Sequence, residues 1–289
     1  MIDFAPLEKR LTELLERHDQ SRQPWTYDDL IERMERRRLE KLSRAIGDGP
    51  ADLAAIQAAW ASGAGPLHPD HAKALETAYL GETNLPWYTE NLYAHLSRGH
   101  PVLGDFFRRW VAEEDQHGRA FEIYLLMDRA VPPAAMLEAK TAMLREGRAA
   151  PATDPFDIMV YTSIQELSTR VFYARLARVV ADPILADLLR RVQADESLHL
   201  AFYREAVKVA LQQDPSLAEA VHRGFMGFRE PVTVLPDYEE RKGLIWDNGL
   251  SNLHVFRAEV VEPLLRYWGL DDGRALARWS VTEAGHRPA

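Results

Sequence analysis

The chain has 289 residues, of which 46% are hydrophobic and 27% charged, values of a globular protein rather than a disordered one. Its net charge of −9 disfavours nucleic acid as the main partner, and no apolar run reaches the roughly 18 residues that span a membrane. Without cysteine there is no disulfide, thiolate nucleophile or cysteine-held iron–sulfur cluster, so any electrons must arrive from a separate carrier. The opening MIDFAPLEKR lacks a basic region followed by an apolar core, from which we expect a cytoplasmic location.

Apolar residues recur at three- and four-residue spacings along most of the chain, which predicts an all-α fold. Proline and glycine punctuate this pattern. Between the breaks we expect helices at 4–18, 27–46, 51–62, 69–97, 102–129, 134–146, 154–181, 184–211, 216–226 and 247–267. The four long ones (69–97, 102–129, 154–181, 184–211) form two hairpins joined by a longer stretch. That is the sequence appearance of a four-helix bundle with one long crossover. We expect a single domain over 1–289, with the bundle at about 69–211, N-terminal helices in 1–62, C-terminal helices in 214–270 and a frayed tail.

The helix at 102–129 carries an apolar stripe, Leu103, Phe106, Trp110, Phe121 and Tyr124, and continuing its step lands on Glu114 and His117. Likewise Leu185, Leu189 and Val192 lead to Glu196 and His199. An ionised carboxylate taken out of water is costly unless paired or bound to a cation. Glu-x-x-His puts both side chains on one helix face, where they can share a metal. The spacing also occurs at Glu219/His222 and Glu283/His286. A two-metal site further needs a Glu from the antiparallel partner helix. Glu82 lies 32 residues before Glu114, and Glu166 lies 30 before Glu196, whereas the other two pairs have no Glu at that distance. Four carboxylates with two imidazoles make a hard, oxygen-rich set suited to two iron ions, with manganese an alternative. Pro86 cannot donate to the Glu82 carbonyl, which predicts a bend beside that residue.

Together GETNLP (81–86), WVAEEDQHG (110–118), YTSIQELST (161–169), ADESLH (194–199) and, more weakly, VVEPLLRYW (260–268) resemble the soluble acyl-(acyl carrier protein) desaturases, a ferritin-like di-iron family. The resemblance implies Glu82, Glu114, His117, Glu166, Glu196 and His199 as iron ligands, Asp195 as a group holding a ligand histidine, and Thr169 facing the oxygen site. It implies O2 as co-substrate, an acyl chain on acyl carrier protein, a ferredoxin-like electron donor, a homodimer and a cis alkene as product. Thr83 and Asn84 depart from the plastid pattern, and the region around Trp25 matches poorly, leaving the family's surface tryptophan unassigned.

The cations Arg33, Arg36, Arg37, Arg38, Lys41 and Arg44 could dock an acidic carrier or form a solvated face, since Glu32, Glu35 and Glu40 interleave them. Phe106, Trp110 and Tyr173 could wall an acyl cavity or be ordinary core. A hydroxylase or N-oxygenase on the same scaffold is the alternative reading, and an iron-storage protein the remote one. A ribonucleotide reductase small subunit is disfavoured, because that family usually has Asp at the first ligand position.

Overall fold

The computed structural model of the chain describes residues 4–47, 53–61, 67–96, 101–148 and 154–270. Among these residues all regular structure is helical: α1 (Phe4–Ser21), α2 (Asp28–Ile46), α3 (Leu53–Ala61), α4 (Pro69–Thr83), α5 (Leu85–His95), α6 (Pro101–Asp128), α7 (Pro133–Glu146), α8 (Pro155–Val179) and α9 (Pro183–Gln213). Beyond these come α10 (Ala218–Gly227), α11 (Tyr238–Asp247), α12 (Leu253–Phe256) and α13 (Glu262–Trp268). The Glu283/His286 pair and the expected frayed tail lie outside the described residues.

Local chemistry sets the helix starts. Asp154 and Asp182 each precede a proline, and their carboxylates accept the N–H of Phe156 and Ile184, both at 2.9 Å. Each proline sits at the first helical position, where a missing N–H leaves no bond unmade.

Helices α4 with α6, and α8 with α9, form the two hairpins of a four-helix bundle, and α1 and α2 lie across α6 and α9. Midway along the bundle the apolar interior is interrupted. One hydrophobic cluster, including Phe106, Phe107, Ile164, Phe202 and Tyr203, fills one end, and another, including Leu75, Leu80, Phe121, Leu185 and Leu189, fills the other. Between them lies a single layer of buried Glu and His, braced by the aliphatic and aromatic packing on both sides.

The helix expected at 69–97 is two helices. α4 ends at Thr83 and α5 begins at Leu85, because Pro86 has no N–H to continue the ladder. The fully buried Asn84 holds the joint, donating to the Arg148 carbonyl at 2.7 Å and accepting the Arg148 N–H at 3.1 Å. The helix expected at 247–267 is also revised. α11 ends at Asp247, Gly249 takes a left-handed φ of 64°, and Asn252 caps a new start by accepting the Val255 N–H at 2.9 Å. Between α12 and α13 the backbone widens into a π-helical turn at Arg257–Val261, just before Pro263.

The basic run on α2 is partly committed to holding the fold. Arg33 pairs with Asp187 at 2.7 Å, and Arg37 reaches the buried Asp128 at 3.0 Å as well as Asp182. Carrier docking through this helix therefore loses two of its six cations.

At Gly224 on α10 an added Cβ would fall 2.6 Å from Val160 Cγ1 of α8. Gly224→Ala is expected to destabilise the chain by about 1–3 kcal/mol through overpacking, checked by denaturant unfolding. A midpoint unchanged from the parent would show that α10 is free to shift.

Candidate metal centre

One face of each bundle helix contributes to the buried layer. Helix α4 brings Glu82, α6 brings Glu113, Glu114 and His117, α8 brings Glu166, and α9 brings Asp195, Glu196 and His199. Gly118 lets α6 pass close over α4, since a Cβ there would lie 3.1 Å from Glu82 Cβ.

The layer divides into two overlapping groups. Glu82, Glu114, His117 and Glu196 offer donor atoms within 4.8 Å of one another, and so do Glu114, Glu166, Glu196 and His199. Glu114 and Glu196 belong to both. His117 Nδ1 stands 3.5 Å from Glu114 and 3.4 Å from Glu196, and His199 Nδ1 stands 3.0 Å from Glu114 and 3.5 Å from Glu166. Yet His117 Nδ1, His199 Nδ1 and Glu196 Oε1 are buried and make no hydrogen bond. Three orphaned donor atoms converging in one layer fit an arrangement built around cations.

The outward ring nitrogens are engaged. His117 Nε2 lies 3.3 Å from Asp195 Oδ2, and His199 Nε2 lies 2.8 Å from Glu113 Oε2. A carboxylate accepting the Nε2–H fixes the tautomer and leaves the Nδ1 lone pair aimed inward. The carboxylates are steadied too: Trp110 donates to Glu166 at 3.1 Å, and the Tyr173 hydroxyl donates to Glu82.

Electrostatics gives the same picture. Burial, then repulsion from Glu114 and Glu196, pushes the Glu82 carboxyl well above its ordinary range. Burial and Glu196 do the same to Glu166. Burial alone would raise Glu114, but the facing imidazoles of His117 and His199 hold it below the usual carboxylate range. Burial opposes charging of the two imidazoles, and the surrounding carboxylates outweigh it and push both well up. So many acids in one dry layer call for added positive charge, and oxygen-rich donors favour hard divalent ions.

A cavity of about 120 Å³ touches Glu82, Glu114, Glu166 and Glu196, with Thr169, Phe172 and Tyr173 on its wall. Through Thr77, Phe228, Glu230, Val232, Ile245 and Ser251, which line both, it adjoins a wider cleft of about 640 Å³ formed mostly by segments after residue 224. Thr169 therefore faces the same space as the carboxylates. Of the aromatics considered as cavity walls, Tyr173 lines it, whereas Phe106 stacks on Phe202 at 3.6 Å in the core and Trp110 holds Glu166. The His222 pair does not join the layer: Glu219 is exposed on α10.

Sequence reasoning missed the role of Glu113 and three further contributors, His18, Arg22 and Trp25, which approach from α1 and the loop after it. Trp25 donates from its indole to Asp195 at 3.0 Å, His18 Nε2 lies 3.0 Å from Glu113, and Arg22 reaches both outer carboxylates. Only the poorly matching stretch around Trp25 pointed to this segment, and nothing in its spacing marks it.

A helical bundle with paired Glu-x-x-His motifs in one buried layer defines a ferritin-like fold whose donors could hold metal. A fatty acid desaturase family model matches residues 6–278, and the chain belongs to that family. DesA1 of Mycobacterium tuberculosis, whose name provisionally assigns it as an acyl-(acyl carrier protein) desaturase, is 27% identical over 216 residues, covering 69% of this chain and 64% of its own. DesA2 of the same organism, provisionally named likewise, is 31% identical over 207 residues, covering 68% of this chain and 71% of its own. A rice chloroplastic acyl-(acyl carrier protein) desaturase 6 is 31% identical over 211 residues, with 66% and 50% covered. The match thus spans less than two thirds of DesA1 and half of the rice protein. The X-ray structure of DesA2 superposes with a TM-score of 0.67 at 20% identity, covering 94% of this chain and 96% of that one, a likeness of fold.

Glu166→Gln removes one crowded charge while keeping an oxygen for Trp110. The metal-free variant is expected to melt higher than the parent and to bind divalent ions more weakly, by about tenfold or more in a chelator competition. Lower melting with unchanged metal affinity would contradict the crowding argument.

Proposed function

We propose that the chain is an O2-dependent di-iron oxidoreductase that introduces a cis double bond into an acyl chain carried on acyl carrier protein. The observation that carries this reading is the pair of overlapping donor groups, with their three orphaned atoms, set at the inner end of a cavity that adjoins an open cleft. Glu82, Glu114, His117 and Glu196 would hold one ion, and Glu114, Glu166, Glu196 and His199 the other, with Glu114 and Glu196 shared. Iron at these donors supplies the O2 activation needed to take hydrogen from two adjacent saturated carbons.

The remaining work falls to the protein. Asp195 and Glu113 keep both histidines with Nδ1 facing the layer, while Trp110 and Tyr173 keep Glu166 and Glu82 in place. Thr169 sits on the cavity wall, where its hydroxyl is available to hold a proton beside the carboxylates. Phe172, Phe228, Val232 and Ile245 give that wall an apolar surface suited to an alkyl chain and hostile to water. The cleft outside carries Arg148, Arg229 and Lys242, cations suited to the phosphate of a carrier's prosthetic arm. A separate one-electron carrier supplies the reducing equivalents, since the chain has no cysteine to hold a cluster of its own.

The direct test is a single turnover: iron-loaded, chemically reduced protein with O2 and a panel of acyl carrier protein thioesters, read by intact mass. Loss of two mass units on one chain length establishes desaturation. A gain of sixteen assigns the protein to the hydroxylases, and no change with two irons bound removes acyl thioesters as substrates. Glu114→Ala and Glu196→Ala are each expected to lose the di-iron absorption and the bound iron while keeping helicity by circular dichroism; normal iron content in either would refute the ligand assignment. Reversing the mouth charges with Arg229→Glu and Lys242→Glu together is expected to raise KM for the carrier-bound substrate about tenfold or more and to leave kcat nearly unchanged.

A further inference from the structure

Outside the carboxylate layer lies a second set of polar groups, arranged in two chains of contacts. In one, His117 faces Asp195, which accepts from Trp25, and the Trp25 ring lies parallel to His117 at 6.3 Å. In the other, His199 faces Glu113, which faces His18, and the His18 ring stacks towards His199 at 6.3 Å. Glu113 and Asp195 are both buried, so each needs a neighbouring positive charge.

A single side chain serves both. Arg22 Nε stands 3.0 Å from Glu113 Oε1, an ion-pair contact without hydrogen-bond geometry, while Arg22 Nη2 donates to Asp195 Oδ2 at 3.2 Å and to Gln116 Oε1 at 2.8 Å. The planar guanidinium sets its charge against Glu113 through one edge while another nitrogen donates to Asp195, an arrangement that a single ammonium point cannot reproduce. Its backbone is fixed as well, since the Arg22 N–H closes the last turn of α1 on the His18 carbonyl at 2.8 Å.

We propose that Arg22 is a positioning residue that ties the two histidine–carboxylate pairs to one support, so that both metal positions depend on a single guanidinium. The inference rests on reading the layer as a two-metal centre. With Arg22 anchored, Glu113 and Asp195 are held at the distances that aim both imidazoles inward, and a shift on one side is felt on the other. His18, Glu113 and His199 also lie close enough together to hold a cation. The charge of Arg22 against Glu113 opposes a third ion there, so this cluster is assigned to support.

The test uses the iron-loaded full chain challenged with graded chelator, counting irons retained per chain, with thermal melting alongside. Arg22→Met is expected to release both irons at chelator concentrations about tenfold or more below the parent, the usual effect of removing a partner behind a ligand. Asp195→Asn and Glu113→Gln are each expected to loosen one iron first. Arg22→Lys, which keeps charge without the planar guanidinium, is expected to fall between Arg22→Met and the parent. Should Arg22→Met not fold, Arg22→Lys carries the comparison. Lower melting with both irons retained at the parent's chelator concentration overturns the proposal, as does early loss of one iron alone from Arg22→Met. A parent chain that takes up no iron overturns the two-metal reading itself, and the role of Arg22 with it.

Discussion

Placing four carboxylates and two imidazoles in one layer of a dry interior is the constraint to which the rest of the molecule answers. Charges so placed repel and are desolvated, and the structure bears this with apolar packing above and below, hydrogen bonds to individual oxygens, and histidines turned to present lone pairs. Phe106 stacked on Phe202 at one end, and Phe121 against Tyr173 at the other, show how close to the polar layer the tight packing comes. Such a layer is unfavourable on its own terms, and its arrangement is intelligible as a receptacle for cations.

Much of this was legible in the sequence because helices convert spacing into direction. A three-residue step puts Glu114 and His117 on one face, and a hairpin of about 30 residues brings Glu82 opposite them. The same arithmetic set aside Glu219, and the structure places it on an exposed surface. What spacing cannot convey is contact between elements that share no register. Arg22 and Trp25 lie on a loop following α1, and they meet Glu113 and Asp195 because α1 packs against both α6 and α9.

The other revisions have equally local causes. Pro86 announced a bend, but the fully buried Asn84, clasped to Arg148, makes it a break between two helices. Where a helix is expected to start at 247, an unexpected one, α11, instead ends, with Asn248 and Gly249 following it and Asn252 beginning another. In one dimension the arginines of α2 could be a docking face or a solvated one. In three, Arg33 and Arg37 fasten α2 to the ends of α6 and α9, where Asp128, Asp182 and Asp187 await them.

The donors of the layer all fall between residues 82 and 199, whereas most of the outer cleft is built from residues 225–256. Under the proposed function, chemistry and admission would be written on separate stretches of the chain, meeting at a few positions such as Thr77 and Ile245. A lineage could remodel the later stretch to admit a different guest while inheriting the reactive centre intact, so family members with the same donors need not share a substrate.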